Sequence, residues 1–324
     1  MAGFNFPIRT PFSLWAKLVC SGLLLLGPLH GQNVPTFRTG VFIVHVDVEV
    51  LGQDNRPIMD LDKDDFRVFD GGREQVVTAL SRGEQPLDLI LLFDTSGSMR
   101  RQLQKVWRVA DLALRELHPG DRVAVVVFNS QSQIISPFTS ELDAVQQAIR
   151  EMLSLGFGGR TKIQAAVRDA ANYFGASGPS DNAQRRAILV VSDDLGIPDR
   201  HKNAILSALW EADCLVSGLI TPNRAALKER LHATRSGGVE DFVEQTGGDM
   251  IRSDDLSTSF PEMMRRIRNR YTLYYKLPDG KVGELQKIDV QLSPRGCERY
   301  PGAHVLSRRG YRLRPRDQYG FASH

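Results

Sequence analysis

The feature that most constrains the fold is a nearly continuous apolar run at 87–93, which leads into Asp94-Thr95-Ser96-Gly97-Ser98. The run hardly alternates between polar and apolar residues, which is typical of a strand buried on both faces of a parallel sheet. Similar strand-like runs occur at 122–128, 133–138, 187–192 and 214–220, with a weaker one at 248–252. A chain of this kind must cover both faces of its sheet with other elements.

Segments with helical spacing of apolar residues alternate with these strands. They span 100–118, 141–154, 161–174, 200–212, 239–246 and 256–269. Repeated strand–helix units predict an α/β fold over 87–270, with a doubly wound and mostly parallel sheet. Ligands of such sheets bind at the carboxyl ends of the strands, where the sequence puts Asp94 and Asp193.

The flanking segments have a different pattern. Residues 41–50 alternate at period two, and the runs 66–69 and 75–80 flank a hairpin turn at 70–72. Further strands are predicted at 271–277, 287–292 and 311–313. We therefore predict a small all-β unit from 35–83 and 271–314, in which the C-terminal strands rejoin the N-terminal ones. Residues 221–238 are interpreted as a polar surface insertion and 315–324 as a frayed tail.

Residues 1–31 have the pattern of a secretory signal peptide. Arg9 and Lys17 are the only charged residues there, an apolar stretch follows at 18–29, and Gly31 precedes Gln32. An uncleaved anchor is the alternative, although the stretch is shorter than the roughly 20 residues of a spanning helix. We expect an exported protein, periplasmic or secreted, with no membrane span after cleavage.

Charge and cysteine content limit the functional classes. Of the net charge of +3, Arg9 and Lys17 contribute two, so the remainder is nearly neutral and predicts no general attraction to nucleic acid. The basic run at 265–270 is interpreted as a solvated helix end. Cys214 and Cys297 could form a disulfide in an exported chain, but Cys214 opens an apolar strand, where a buried free thiol is more common. The seven histidines lack zinc-site spacing.

The candidate site combines carboxylates and hydroxyls from three loops. Asp94, Ser96 and Ser98 alternate along a tight loop, so their oxygens should converge. Thr161 follows two glycines at the start of a predicted helix, and Asp193 ends a predicted strand. Such oxygens suit Mg²⁺, Mn²⁺ or Ca²⁺.

These three loops resemble the metal-ion-dependent adhesion site of the von Willebrand factor type A domain, and the resemblance covers about 87–270. Segments 61–71, 244–248 and 307–311 are similar to a family of secreted bacterial proteins related to this domain. The resemblance implies a divalent cation held by Asp94, Ser96, Ser98, Thr161 and Asp193. It also implies that an acidic residue of a protein partner completes the coordination, without catalysis.

One departure from the family pattern is Asp194, where glycine is usual. An extra carboxylate could tighten cation binding or repel an acidic ligand, and Arg160 could pair with it. Asp199 is interpreted as a helix cap. One alternative to ligation is a helix-capping turn at 94–98. Another is a structural scaffold of an envelope assembly with a vestigial metal site.

Enzymatic interpretations find little support in the motifs. An aspartic-protease motif needs glycine where Ser96 stands, and Ser98 lacks the Gly-x-Ser-x-Gly context of a hydrolase nucleophile. The sequence also contains neither a P-loop nor the glycine pattern of a dinucleotide site. We therefore predict a binding protein and not an enzyme.

Overall fold

A computed structural model describes residues 42–176, 184–195, 201–221, 238–280, 282–313 and 320–321. The predicted signal peptide lies outside these residues, as does Asp199. Most of the predicted insertion and tail also lie outside them.

Strands and helices are numbered here in chain order. The strands are β1 (Phe42–Leu51), β2 (Phe66–Asp70), β3 (Arg73–Gln75), β4 (Val77–Arg82), β5 (Leu87–Asp94), β6 (Arg122–Phe128), β7 (Ser132–Thr139), β8 (Arg185–Ser192), β9 (Cys214–Ile220), β10 (Met250–Arg252), β11 (Tyr271–Lys276), β12 (Leu285–Leu292), β13 (His304–Ser307), β14 (Gly310–Arg312) and β15 (Gly320–Phe321). The helices are α1 (Arg100–Arg108), α2 (Ala110–Leu114), α3 (Leu142–Met152), α4 (Ile163–Ala176), α5 (Lys202–Ala212), α6 (Val239–Thr246), α7 (Leu256–Arg268) and α8 (Pro294–Arg299).

The central sheet has the strand order β10-β9-β8-β5-β6-β7. Its neighbouring strands are parallel, except that β7 runs antiparallel to β6. Every residue of β5 is buried, because its two faces pack into different cores. Leu89 and Leu91 join a core with α1, α2, α3 and α7, whereas Ile90 and Leu92 join one with α4, α5 and α6. The predicted doubly wound α/β fold is confirmed.

The flanks form two further sheets. One has the order β13-β1-β11-β4, with β15 on β1, and the other has the order β14-β12-β2-β3. Val46 pairs with Leu273 and Val68 with Val290, so each sheet contains strands from both ends of the chain. Buried side chains of the two sheets share one hydrophobic core. The prediction that the C-terminal strands rejoin the N-terminal ones is confirmed.

Two predicted elements are each divided in the structure. The helix predicted at 100–118 is interrupted at Val109, whose backbone (φ −113°, ψ 7°) leaves the helical region before α2 begins. The strand predicted at 75–80 breaks at Val76, because Gln75 pairs with Val68 in one sheet while Val77 pairs with Tyr275 in the other. The chain crosses between sheets at this point.

The basic run at 265–270 is largely buried. Arg266, Arg268 and Arg270 are at most 9% exposed, and each contacts a carboxylate. The pairs are Arg266–Asp249 (2.6 Å), Arg268–Asp121 (2.8 Å) and Arg270–Glu49 (2.7 Å). The predicted solvated helix end is therefore wrong for these three residues, since distant carboxylates compensate their buried charge.

Arg185 explains why this helix end is buried. It is the first residue of β8, and its guanidinium donates to the carbonyls of Ile267 and Arg268 at 2.9 and 3.1 Å. Its Nε also donates to Asp47 of β1 at 2.8 Å. The end of α7 is thus held between a strand of the central sheet and a strand of the β unit.

The remaining predictions concern cysteines and membrane spans. Cys214 is buried and Cys297 exposed, and both are free thiols, so they do not form a disulfide with each other. Among the described residues, we find no helix long and apolar enough to cross a membrane.

Candidate functional site

The candidate site lies where the order of the parallel strands reverses. From β5 the chain proceeds to β6 on one side, whereas from β8 it proceeds to β9 on the other. Asp94 is the last residue of β5 and Asp193 directly follows β8. Because β5 and β8 are parallel neighbours, both carboxylates come to the crevice in which open α/β sheets bind ligands.

Asp94 is fully buried and held by two hydrogen bonds. Its Oδ1 accepts from the backbone amide of Ser96 at 2.8 Å, and its Oδ2 accepts from the Ser192 hydroxyl at 2.6 Å. Burial raises the pKa of Asp94 to about 6, although these hydrogen bonds act in the opposite direction. The carboxylate therefore has a fixed orientation before any ligand binds.

A chain of hydrogen bonds joins the first loop to the third. The Ser96 and Ser98 hydroxyls are 3.1 Å apart, and the Ser98 hydroxyl donates to Oδ2 of Asp193 at 2.7 Å. The other oxygen of Asp193 accepts from the amide of Leu195 at 3.1 Å. These hydrogen bonds bring together four of the five residues predicted to hold a cation: Asp94, Ser96, Ser98 and Asp193.

The second loop is held by its backbone against the first loop and against the residue that follows β6. The amide of Gly158 donates to the carbonyl of Thr95 at 3.0 Å, and that of Lys162 donates to the carbonyl of Asn129 at 2.9 Å. Thr161 is 7% exposed within this loop. Among the described contacts, its hydroxyl has no direct hydrogen bond to the other four predicted residues.

Asp194 has the left-handed backbone conformation (φ 56°) that glycine adopts most easily. Its Oδ1 accepts from the amide of Val239, the first residue of α6, at 3.2 Å. A Cβ at Gly238 would meet this carboxylate at 2.1 Å, so glycine is required for the close approach. The described ion pairs do not include Arg160 with Asp194, and the effect of either residue on the site stays a hypothesis.

The donor set fits a hard cation. It contains two carboxylates and three hydroxyls, the ligands that Mg²⁺, Mn²⁺ and Ca²⁺ accept. The described residues contain no group of three or more His, Cys, Asp or Glu side chains arranged to hold a metal. That result does not test the predicted set, because three of its five oxygens belong to serine and threonine.

Sequence reasoning missed Ser192 and Asn129. Ser192 looks like the last residue of an apolar strand, and only its contact with Asp94 reveals its role. Asn129 follows β6 at the same edge of the sheet, and its side chain lies next to Gly159. A polar residue at the end of a buried strand is the only signal that could have indicated either residue.

Comparison with known proteins now gives the class of domain. A family model of the von Willebrand factor type A domain matches residues 89–196. The resemblance predicted from the three loops is therefore confirmed over these residues, which make up a third of the chain. The match spans the first and third loops as well as Thr161.

Solved structures similar to the chain include an aerotolerance-related membrane protein from Bacteroides fragilis. It is 18% identical with a TM-score of 0.43, over 56% of this chain and 98% of that one. BatB from Bacteroides thetaiotaomicron is 19% identical with a TM-score of 0.42, over 56% of this chain and 97% of BatB. A von Willebrand factor type A protein from Catenulispora acidiphila is 10% identical with a TM-score of 0.44, over 86% of this chain and 76% of that protein. The comparison with curated proteins found no match.

Proposed function

We propose that this protein binds a protein partner through a divalent cation. Asp94, Ser96, Ser98, Thr161 and Asp193 would hold the ion, which is Mg²⁺ or, in its place, Mn²⁺ or Ca²⁺. An acidic side chain of the partner would complete its coordination. The observation that carries this proposal is the hydrogen-bonded chain from Ser96 through Ser98 to Asp193, which brings oxygens of two separate loops together.

The chemistry of these residues favours binding of an anionic partner. Three of the five oxygens come from neutral hydroxyls, and both oxygens of Asp94 already accept hydrogen bonds. An ion held in this way would keep enough positive charge to attract a carboxylate. The five residues bind and orient, and we assign none of them a catalytic step.

Export is a separate part of the proposal. The signal-peptide pattern of residues 1–31 supports a periplasmic or secreted location. Sequencing the N-terminus of the protein recovered from the producing cells and their medium tests this. A protein that still begins at Met1 in the cytoplasm would contradict it.

Calorimetry tests the cation claim directly. Mg²⁺ and Mn²⁺ are titrated into the wild type, Asp94→Ala and Asp169→Ala, the last being a matched removal of an exposed carboxylate on α4. We expect binding heats for the wild type and Asp169→Ala but not for Asp94→Ala. Negligible heats for all three proteins would overturn the metal site.

A pull-down from cell-envelope extract, with and without a chelator, tests the partner claim. Partners that are lost on chelation support cation-dependent binding. Partners that are kept equally well with chelator present favour the alternative, a structural scaffold with a vestigial metal site.

A further inference from the structure

Four exposed cationic side chains flank the candidate site, and we call them the basic rim: Arg100, Arg101, Arg160 and Lys162. Arg100 and Arg101 are the first residues of α1 and follow Ser98 closely, while Arg160 and Lys162 stand on either side of Thr161. None of the four forms an ion pair with an Asp or Glu of the described residues.

The unpaired state of the basic rim contrasts with other surface arginines. Exposed arginines elsewhere are commonly matched with a nearby carboxylate. Examples are Arg67–Glu74 (2.6 Å), Arg115–Asp111 (2.8 Å) and Arg295–Asp62 (2.5 Å). Within the part of the chain that the structure describes, no carboxylate is therefore paired with the positive charge beside the site.

The position of Arg100 and Arg101 conflicts with helix electrostatics. The N-terminus of a helix carries partial positive charge, so acidic residues stabilise its first turn and basic residues do not. The first turn of α1 contains no acidic residue and begins with two arginines. Departures from a local rule are expected at functional sites.

Arg100 also connects two of the three loops. Its guanidinium lies over the ring of Phe157, 4.5 Å from the centroid. Phe157 precedes Gly158, whose amide is bonded to Thr95 of the first loop. This part of the basic rim is therefore held at the site.

We infer that the partner presents an acidic segment with several carboxylates, and not a single acidic residue. One carboxylate reaches the cation, and the others lie against the basic rim. This inference rests on the proposed function. We choose a polypeptide over a nucleic acid because the proposed function already requires a protein partner whose carboxylate reaches the cation.

Binding of two fluorescent peptides, followed by anisotropy, tests the inference. One carries a single glutamate in a glycine–serine background, and the other carries four consecutive glutamates. Each is titrated with the protein in Mg²⁺ and in EDTA. We expect the second peptide to bind about tenfold more tightly in Mg²⁺ at low salt, and the advantage to shrink as salt is added.

Charge-removing variants locate the contact. In R100Q/R101Q and R160Q/K162Q, affinity for the four-glutamate peptide should fall about fivefold, with less than a twofold change for the single-glutamate peptide. R73Q/K276Q removes two exposed charges of the β unit and should change neither. Thermal unfolding of R100Q/R101Q is compared with that of the wild type, because the variant relieves the first turn of α1 but also removes the contact of Arg100 with Phe157.

The outcomes separate this inference from the proposed function. Equal affinity for both peptides, with no effect of the rim variants, overturns the acidic segment but leaves cation-dependent binding intact. Binding of neither peptide overturns both. Equal binding of the four-glutamate peptide in Mg²⁺ and EDTA, lost in the rim variants, supports the acidic segment and overturns the cation. An oligonucleotide of the same charge that competes as well as this peptide overturns the choice of a polypeptide.

Discussion

The hydroxyl of Ser192 donates a 2.6 Å hydrogen bond to Oδ2 of Asp94, linking the last residues of the two neighbouring strands β8 and β5. The same hydroxyl accepts from the backbone amide of Asp194 at 3.0 Å. Ser192 therefore orients a carboxylate of the first loop and the backbone of the third loop together.

Replacing Ser192 with alanine should destabilise the protein and weaken cation binding. It leaves Oδ2 of a buried carboxylate without its donor, which costs about 1.5–3 kcal/mol in the free energy of unfolding. Urea unfolding in EDTA measures this loss, and Mg²⁺ calorimetry measures the affinity. Ser192→Thr keeps a hydroxyl and is the control. Alanine and threonine variants of equal stability would show that the hydrogen bond contributes nothing.

At Asp194, glycine should be tolerated better than alanine. Both substitutions remove the hydrogen bond to Val239 at the start of α6, but only alanine keeps a Cβ at a φ of 56°. Asp194→Ala should therefore be less stable than Asp194→Gly by about 1 kcal/mol. Chemical denaturation of both variants measures the difference. Loss of Mg²⁺ binding in Asp194→Gly would instead place this carboxylate in the shell of the ion.

Breaking the Arg185–Asp47 pair should destabilise the protein strongly. Arg185 is buried, so Asp47→Asn leaves its charge without a counter-ion, at a cost of about 3–5 kcal/mol. The exposed pair Arg67–Glu74 is the control, and Glu74→Gln should cost under about 1 kcal/mol. Urea denaturation at neutral pH compares the two. Similar losses for both variants would contradict the special role of the buried pair.

The Arg185–Asp47 pair should also make the stability of the protein sensitive to acid. Burial alone would raise the pKa of Asp47, but the charge and hydrogen bond of Arg185 outweigh it and lower the pKa. The folded protein therefore binds this proton less readily than the unfolded chain. The stabilisation is present above the ordinary pKa of an aspartate and is lost as the pH falls through the lowered value.

Glu49 should give a pH dependence of opposite sign. Burial raises its pKa to about 7, although Arg270 acts against this. From the ordinary value near 4.5 up to about 7, the folded protein holds a proton that the unfolded chain has released. The contribution of Glu49 to the free energy of unfolding therefore falls as the pH rises across this window.

Glu49→Gln isolates this effect because glutamine does not ionise. The stability of the wild type relative to Glu49→Gln should fall by up to about 3 kcal/mol between about pH 4.5 and about pH 7. Urea unfolding of both proteins at the two pH values measures the change. A constant difference would mean that Glu49 remains ionised beside Arg270 throughout.

Local patterns in the sequence predicted the central fold, and the resemblance of three loops to a known site supplied the candidate ligands. The apolar run of β5 does not alternate because helices cover both of its faces, and that requirement is visible in the residues themselves. Asp94 and Asp193 were predicted to be neighbours because parallel strands end at one edge of a sheet. Both arguments need only short segments and a general rule of sheet geometry.

The tertiary structure alone decided which polar groups meet across long stretches of chain. Arg270 looks the same in sequence whether solvated or buried, and its partner Glu49 is 221 positions away. Asp194 contacts the start of α6, 45 positions further along the chain, and Ser192 reaches Asp94 across 98. The periodicity of apolar residues indicates which face of a helix or strand is buried. It does not indicate which distant charged residue will pair with a buried charge.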